Sequence, residues 1–278
     1  MNQNREPLVT VMMTSYNTEK YIGRAVNSIL NQTYSNYEFL ILDDCSTDNT
    51  FDILARLAKK DERILLSRNE VNLGPGASSN ILIRQSKGKY IVRMDSDDES
   101  YLDRIRKQVQ FMEANKDVVV SGGSMHICNE KMQVMGIRDY PQTDEDIRKC
   151  ILRFNPIPHP ASIWKRDVLF RTDFYSETSR ISEDYKLVLQ AGSHGKLANI
   201  KDVLIKFRVS STSESNSKMK KQQLETIRIS RYATRTLGYK YSFMDVLWIA
   251  LLYGTMYIIP SNLKRSLFNI MVMKRDKV

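Results

Sequence analysis

Apolar and polar positions in the first hundred residues alternate between two rhythms. Residues 8–14 (LVTVMMT) form a short apolar run of strand type, whereas residues 19–31 repeat apolar positions at helical spacing, with Ile22, Ala25, Val26, Ile29 and Leu30 on one face. Residues 39–43 are the next strand, Ser46 or Thr47 is placed to cap a helix running to Lys59, residues 63–67 are strand-like, 76–86 helical, and 90–94 a fourth strand. This β-α-β-α-β-α-β order predicts an α/β fold with a mostly parallel central sheet flanked by helices. In such sheets ligands gather at the carboxyl ends of the strands.

Further along, the pattern predicts a helix over 104–115, strands over 118–121 and 124–128, a turn at NEKMQ and a strand resuming to Arg138. A short helix over 144–152 precedes NPIPHPAS, whose prolines forbid regular helix or central strand. Residues 182–192 (SEDYKLVLQAG) read as a helix ended by glycine, and KLANIKDVLIKFRV as two short strands. The polar stretch 210–218 has no periodicity and marks a loop or linker.

Polar signatures fall at the strand ends: TSYN (14–17) after the first, DDCSTD (43–48) after the second and DSDD (95–98) after the fourth. All three are expected at one edge of the sheet. Crowded carboxylates are tolerated where a cation neutralises them, and Mg²⁺ or Mn²⁺ is held by one or two carboxylates plus substrate phosphate oxygens. The competing reading of DSDD is an acidic turn that caps the next helix, near Ser100. Tyr16 offers an aromatic face for a nucleobase, or is a core tyrosine; Asp44 offers an acceptor for a ring N–H, or is a helix cap. GPGASS (74–79) lacks the third glycine of a dinucleotide-binding loop and contains proline, which argues against a Rossmann cofactor site.

Taken in order, VTVMMTSYN…YIGRAVNSILNQTYSNYEFLILDDCSTDNT, NLGPGASSNILIRQSKGKYIVRMDSDDE, PHPASIWKRDVL and SEDYKL resemble the family 2 glycosyltransferases, inverting sugar-nucleotide enzymes of GT-A fold. The likeness runs over residues 8–209. It implies that Thr14, Tyr16 and Asp44 cradle the nucleotide base, that Asp95 and Asp97 form the D-x-D contacting ribose and diphosphate through Mn²⁺ or Mg²⁺, and that Asp98 is a further metal ligand beside Asp97. Asp184 matches the general base, with Glu183 beside it. The local alternative for that acidic pair is favourable charge at a helix N-terminus. The chain departs from the pattern at Cys45, where glycine is usual, and at Ser78-Ser79-Asn80, where Ala-Arg-Asn is common. The missing arginine removes a phosphate or base contact. His159 lies on the acceptor side by the same likeness, with a structural histidine as the alternative.

Charge alters the picture only at the C-terminus. From Lys218 onward twelve Lys/Arg stand against three acidic residues, so this segment carries +9 of the chain's net +10. Residues 218–241 read as a helix with Leu224, Ile227 and Tyr232 near one side, and 246–259 (VLWIALLYGTMYII) is an uncharged run bearing Trp248, Tyr253 and Tyr257, with Lys240 before it and Lys264-Arg265 after. A spanning helix needs about 20 residues, so an interfacial helix on an anionic leaflet is expected, a packed hairpin or dimer contact being the alternative. The expected domains are thus a GT-A unit over 1–217 and a basic, partly apolar helical tail over 218–278. The start, MNQNREPLVTV, lacks the profile of a cleaved signal peptide, so the expected location is cytoplasmic, peripheral at the inner face of the membrane. Cys45, Cys128 and Cys150 form no disulfide or zinc pattern and are expected to be reduced.

The function expected is transfer of a sugar from a nucleoside-diphosphate sugar, with UDP as the expected nucleotide, to a hydroxyl of a glycan or lipid-linked acceptor in surface polysaccharide biosynthesis. The rival is a non-catalytic nucleotide-sugar-binding module at the membrane surface. A nucleic-acid partner is not expected, because no base-reading motif accompanies the basic tail.

Overall fold

The computed structural model describes residues 6–176, 182–209 and 216–258. Strands β1 (Val9–Ser15), β2 (Tyr37–Asp43), β3 (Ile64–Arg68) and β4 (Tyr90–Asp95) lie in the order β3-β2-β1-β4, every pair parallel, with helices α1 (Ile22–Leu30), α2 (Thr50–Ala58) and α3 (Pro75–Gln85) as crossovers. The sheet continues through β8 (Ile163–Lys165), β6 (Val118–Cys128), β9 (Lys196–Arg208) and β5 (Glu99–Ser100), with β7 (Val134–Arg138) also paired to β6. β8 runs antiparallel to both neighbours, whereas β6 and β9 are parallel to each other. The remaining helices are α4 (Arg104–Ala114), α5 (Asp144–Arg148), α6 (Arg166–Leu169), α7 (Glu183–Gly192), α8 (Asn216–Thr236) and α9 (Phe243–Ile258).

Period-two alternation assigns each strand residue to one of two cores. Val9, Val11, Met13, Phe39, Ile41, Val92 and Met94 pack beneath α1, α2 and α4 through Ile22, Val26, Ile29, Leu54, Ile105 and Val109. Met12, Leu40, Leu42 and Ile91 face the other way, onto Leu82 and Ile83 of α3, Leu187 and Val188 of α7, and Ile229 and Ala233 of α8. With β1 and β4 covered on both faces, the ends of these strands are held rigidly.

Several local expectations need correction. The first helix begins at Ile22, not Glu19, because the Glu19 carboxylate is spent on Asn49, accepting from its backbone N at 3.0 Å and its Nδ2 at 2.8 Å. Neither Ser46 nor Thr47 caps α2; Ser46 turns back to Asp43, donating from N and Oγ at 3.0 and 2.5 Å. β6 and β9 are each one long strand. Gly122 and Gly123 let β6 bend without breaking: a Cβ at Gly122 would stand 2.5 Å from both Asn199 Oδ1 and Pro158 Cδ, and one at Gly123 2.6 Å from Leu204. β8, unforeseen in the sequence, follows directly on the proline-rich loop.

α8 packs against α7, with Ile227, Ser230 and Ala233 buried and Gln190 donating from Nε2 to the Tyr232 hydroxyl at 3.0 Å. Leu224 is 36% exposed. α9 follows, fixed at its start by buried Asp245, which accepts from Ser242 N and Oγ at 2.9 and 2.6 Å and pairs with Arg153 at 2.9 Å. Most of the 210–218 linker, Ile259 at the end of the apolar run and the Lys264-Arg265 pair lie outside the described residues, as does the side chain of Tyr257. No described helix is long and apolar enough to cross a membrane. All three cysteines are free thiols.

Candidate active site

The three polar loops meet at the carboxyl edge of the parallel strands. In register, Thr14 lies opposite Leu42 on one side and Asp95 on the other, and the Asp44 N–H donates to the Ser15 carbonyl at 2.8 Å. Tyr16 stands 47% exposed beside them, so it is a surface ring and not a core tyrosine. Asp44 is buried and holds the loop that enters α3: Asn69 Nδ2 and Leu73 N donate to Oδ1 at 2.7 and 2.9 Å, and Gly74 N to Oδ2 at 2.8 Å. Gly74 has φ 91°, which only glycine adopts readily, and Pro75 then opens the helix. The glycine-rich segment is therefore a pinned helix start. Cys45 also adopts a left-handed conformation, φ 62°, at the position where glycine is usual.

The crowded acids of 95–98 do not cap a helix: α4 begins at Arg104, after Asp103. Three buried arginines surround them instead. Arg93 donates from Nε to Asp95 Oδ1 at 2.9 Å; Arg104, behind the strand, donates from Nη2 to the carbonyls of Arg93 and Pro160 at 2.6 and 3.0 Å. Arg208, at the end of β9, donates from its backbone N to Asp98 Oδ1 and from Nε to the Asp97 carbonyl, each at 2.8 Å, while its guanidinium lies 4.3 Å from the Tyr21 ring centre. Arg93, Arg104 and Arg208 are 5%, 1% and 5% exposed, so each charge acts in a low-dielectric setting. None was singled out from the sequence. The available signal was a lone cation inside an otherwise apolar strand, YIVRM.

These cations do not serve the acids equally. Burial opposes ionisation of Asp95, but Arg93 prevails and holds its carboxyl below the ordinary value. Asp97 is pushed up to about 6, by burial and then by the charge of Asp95. Asp98 is raised well above the ordinary range, by burial and by both neighbouring acids. Its Oδ2 is buried without a hydrogen-bond partner among the described residues. Negative charge at Asp97 and Asp98 is thus undercompensated, and two carboxylates suit a hard divalent cation that completes its shell with ligand oxygens. Among the described residues no cluster of three or more acidic, His or Cys side chains forms a ready-made cation cage.

A second acidic pair opens α7. Glu183 lies against the first turn of α3, where a Cβ added to Gly76 would come within 2.2 Å of Glu183 Oε2. Asp184 instead accepts from Asn155 Nδ2 at 2.9 Å, and Asn155 Oδ1 accepts from Ile157 N at 3.1 Å, so both ends of that amide are committed. Asn155 is a second residue that the sequence left unassigned. His159 Nε2 and the Tyr175 hydroxyl share a hydrogen bond of 2.7 Å. Burial, then the charge of Arg93, holds the imidazole below its usual value against the pull of Asp184 and Asp95. Glu183 at Gly76 and Arg93, which donates from Nη1 to Ser79 Oγ at 2.7 Å, both meet the N-terminal half of α3, so the start of α7 and the end of β4 are tied to one helix. A separate groove of about 630 Å³ beside Lys107, Asp117, Thr143 and Asn199 contains none of these residues.

Comparison with known proteins fits this arrangement. TarS of S. aureus, residues 1–349 in complex with UDP, superposes with a TM-score of 0.67 over 93% of this chain and 74% of that one, at 22% identity. The mannosyltransferase PcManGT of Pyrobaculum calidifontis, in complex with GDP-Man and Mn²⁺, gives 0.62 over 97% and 86%, at 15% identity. At these identities the likeness shows the GT-A fold. In sequence, an uncharacterized glycosyltransferase of Haemophilus influenzae is 34% identical over 236 residues, 80% of this chain and 71% of the relative. A Bacillus subtilis protein named for teichuronic acid biosynthesis, TuaG, is 42% identical over 109 residues, 39% of this chain and 43% of its own length. Residues 10–169, from β1 through α6 and including the acidic turn, match the family model described as Glycosyl transferase family 2. With that span and that fold, the chain belongs to glycosyltransferase family 2.

Proposed function

We propose that the protein is an inverting glycosyltransferase that moves a sugar from a UDP-sugar to a hydroxyl of a glycan or lipid-linked acceptor, in surface polysaccharide biosynthesis. The observation that carries this reading is the meeting of Thr14, Asp44 and Asp95 at one strand edge, with the acidic start of α7 lying against α3, the helix that Arg93 of β4 also reaches. The UDP complex of TarS and the teichuronic acid assignment of TuaG support the donor and the pathway class.

In this reading Tyr16 stacks on the base, Asp44 accepts from its ring N–H, and Asp95 meets the ribose. Asp97 and Asp98 would hold Mn²⁺ or Mg²⁺. When bound, such a cation offsets the charge of the departing nucleoside diphosphate. Asp184, oriented by Asn155, takes the proton of the acceptor hydroxyl as that oxygen forms its bond to the anomeric carbon, and the bond from that carbon to the diphosphate breaks with the electron pair leaving on phosphate oxygen. One displacement inverts the anomeric centre, as in the inverting glycosidases.

The test is a pair of variants assayed with a panel of UDP-sugars and Mn²⁺. Asp184→Ala is expected to abolish transfer with UDP binding kept; Asp97→Ala loses both. Near-wild-type transfer by Asp184→Ala removes that residue from the mechanism, and UDP binding with no donor consumed by the wild type across acceptors favours a non-catalytic module.

We further propose a cytoplasmic enzyme held peripherally at an anionic membrane by α9. Phe243, Met244, Val246, Leu247, Trp248 and Leu251 are exposed on this helix, at 39–81%. Basic residues precede and follow the apolar run.

A further inference from the structure

Arg93 occupies a place that ordinary stability does not call for. It sits in the middle of β4, 5% exposed, between apolar Val92 and Met94, and its buried ion pair with Asp95 is the kind that a well-packed apolar pair often replaces without loss of stability. Each of its three guanidinium nitrogens donates a hydrogen bond. Nε donates to Asp95 Oδ1 at 2.9 Å, Nη1 to Ser79 Oγ at 2.7 Å and Nη2 to Thr14 Oγ1 at 3.2 Å. These acceptors lie on β4, α3 and β1. Ser79 Oγ passes the link on, donating to the Pro75 carbonyl in the first turn of α3 at 2.6 Å. From behind, the Arg93 carbonyl receives Arg104 and its N–H donates to the Ser162 carbonyl at 3.1 Å. A planar fork with several fixed donors can join three groups in this way; an ammonium acts as a point charge.

Position 79 is also where the sequence lacks the arginine of the pattern it resembles. The structure puts a guanidinium beside that position all the same, delivered from the strand.

The geometry points to Arg93 as the positioning residue of the donor site: it fixes the Thr14 hydroxyl, the Asp95 carboxylate and the first turn of α3 as one unit for the nucleoside end of the donor, a part that a guanidinium rooted at position 79 can also play. This rests on the donor-binding reading above. Arg93 reaches the donor through Thr14 and Asp95, so its loss weakens donor binding more than it slows the chemical step.

The test uses the full chain and UDP with Mn²⁺ as the calorimetric probe, comparing wild type, Arg93→Lys, Arg93→Met and the double variant Arg93→Met/Ser79→Arg, each checked for fold by circular dichroism. Donor KM and kcat are measured with the UDP-sugar that the wild type consumes. Arg93→Lys and Arg93→Met are expected to lower UDP affinity by roughly ten- to hundredfold and to raise donor KM with a smaller change in kcat. The double variant is expected to recover most of that loss, which general loosening of the fold does not predict. Folded Arg93→Lys or Arg93→Met proteins with UDP affinity within about twofold of wild type overturn the proposal. So does a folded double variant that binds no better than Arg93→Met. Where Arg93→Met does not fold, Arg93→Lys decides alone. Wild type that binds neither UDP nor GDP overturns the donor reading and the proposal with it, whereas normal wild-type binding with unaffected variants overturns the proposal only.

Discussion

Under the proposed function Asp97 would have to be ionised to hold a cation in a place that resists its ionisation. Its carboxyl is raised from 3.8 to about 6 by burial and by Asp95. A folded-state value above the unfolded one means that the protonated acid favours the fold. That contribution is complete below about pH 3.8 and is lost as pH rises through about 6. At pH 7, without divalent cation, ionised Asp97 therefore costs stability. Asp97→Asn is expected to raise the unfolding midpoint at pH 7 by on the order of a few degrees, an advantage that shrinks as pH falls from 6 towards 4, while UDP binding with Mn²⁺ is lost. Thermal unfolding across that pH range checks it, and an unchanged midpoint at pH 7 counts against the strained carboxylate. Cys45 carries a different strain: with φ 62° it is expected to gain up to about 1 kcal/mol on Cys45→Gly, read from denaturant midpoints. At this scale Thr14, Asp44 and Asp95 were legible because strand ends announce themselves. Arg208 was not, because its partner Asp98 lies 110 positions away.

The elements that place these residues depend on close backbone approach. Gly88 enters β4 so near to β1 that an added Cβ would stand 2.3 Å from Thr10 N and 2.7 Å from the Val9 carbonyl carbon. Its N–H donates to Thr10 Oγ1 at 2.9 Å, and Thr10 Oγ1 in turn to Glu38 Oε1 at 2.6 Å, tying β4, β1 and β2 together. Backbone atoms do not yield as side-chain tips do, so Gly88→Ala is expected to destabilise the protein by about 2 kcal/mol or more, measured by urea unfolding. Wild-type stability in that variant would mean that the strands separate without cost. The parallel half of the sheet was legible from its alternating periods. β8 was not, since three residues after a proline-rich loop carry too little pattern, and β6 was divided in two because Gly122-Gly123 resemble a turn until their neighbours are seen.

At the scale of the molecule, α8 and α9 part company. α8 buries Ile227 and Ala233 and joins the core beside α7, whereas α9 exposes Leu247 and Leu251, one helical turn apart, at 53% and 58%. Leu247→Asp/Leu251→Asp is expected to leave the unfolding midpoint unchanged, because neither side chain is buried, and to abolish cosedimentation with vesicles containing anionic phospholipid. The wild-type association is expected to weaken with salt, since each cation near the surface contributes about 1 kcal/mol. Equal sedimentation of variant and wild type would remove α9 from membrane contact, and a concentration-dependent dimer lost in the variant would assign the face to a second copy.

The sequence by itself determined the frame. Period-two and period-3.6 patterns set the order of strands and helices, and right-handed parallel crossovers then force Thr14, Asp44 and Asp95 to one edge, whatever their side chains do. Only the tertiary structure decided the charges: that Arg93 serves Asp95, that Arg208 clasps Asp98, that Asp97 is left straining, and that adjacent Glu183 and Asp184 go to Gly76 and Asn155 respectively. The reason is range. Backbone periodicity is written in residues two to four apart, whereas the ionisation and orientation of a side chain are fixed by whatever lies within a few ångströms, and folding brings those partners from distant positions in the chain.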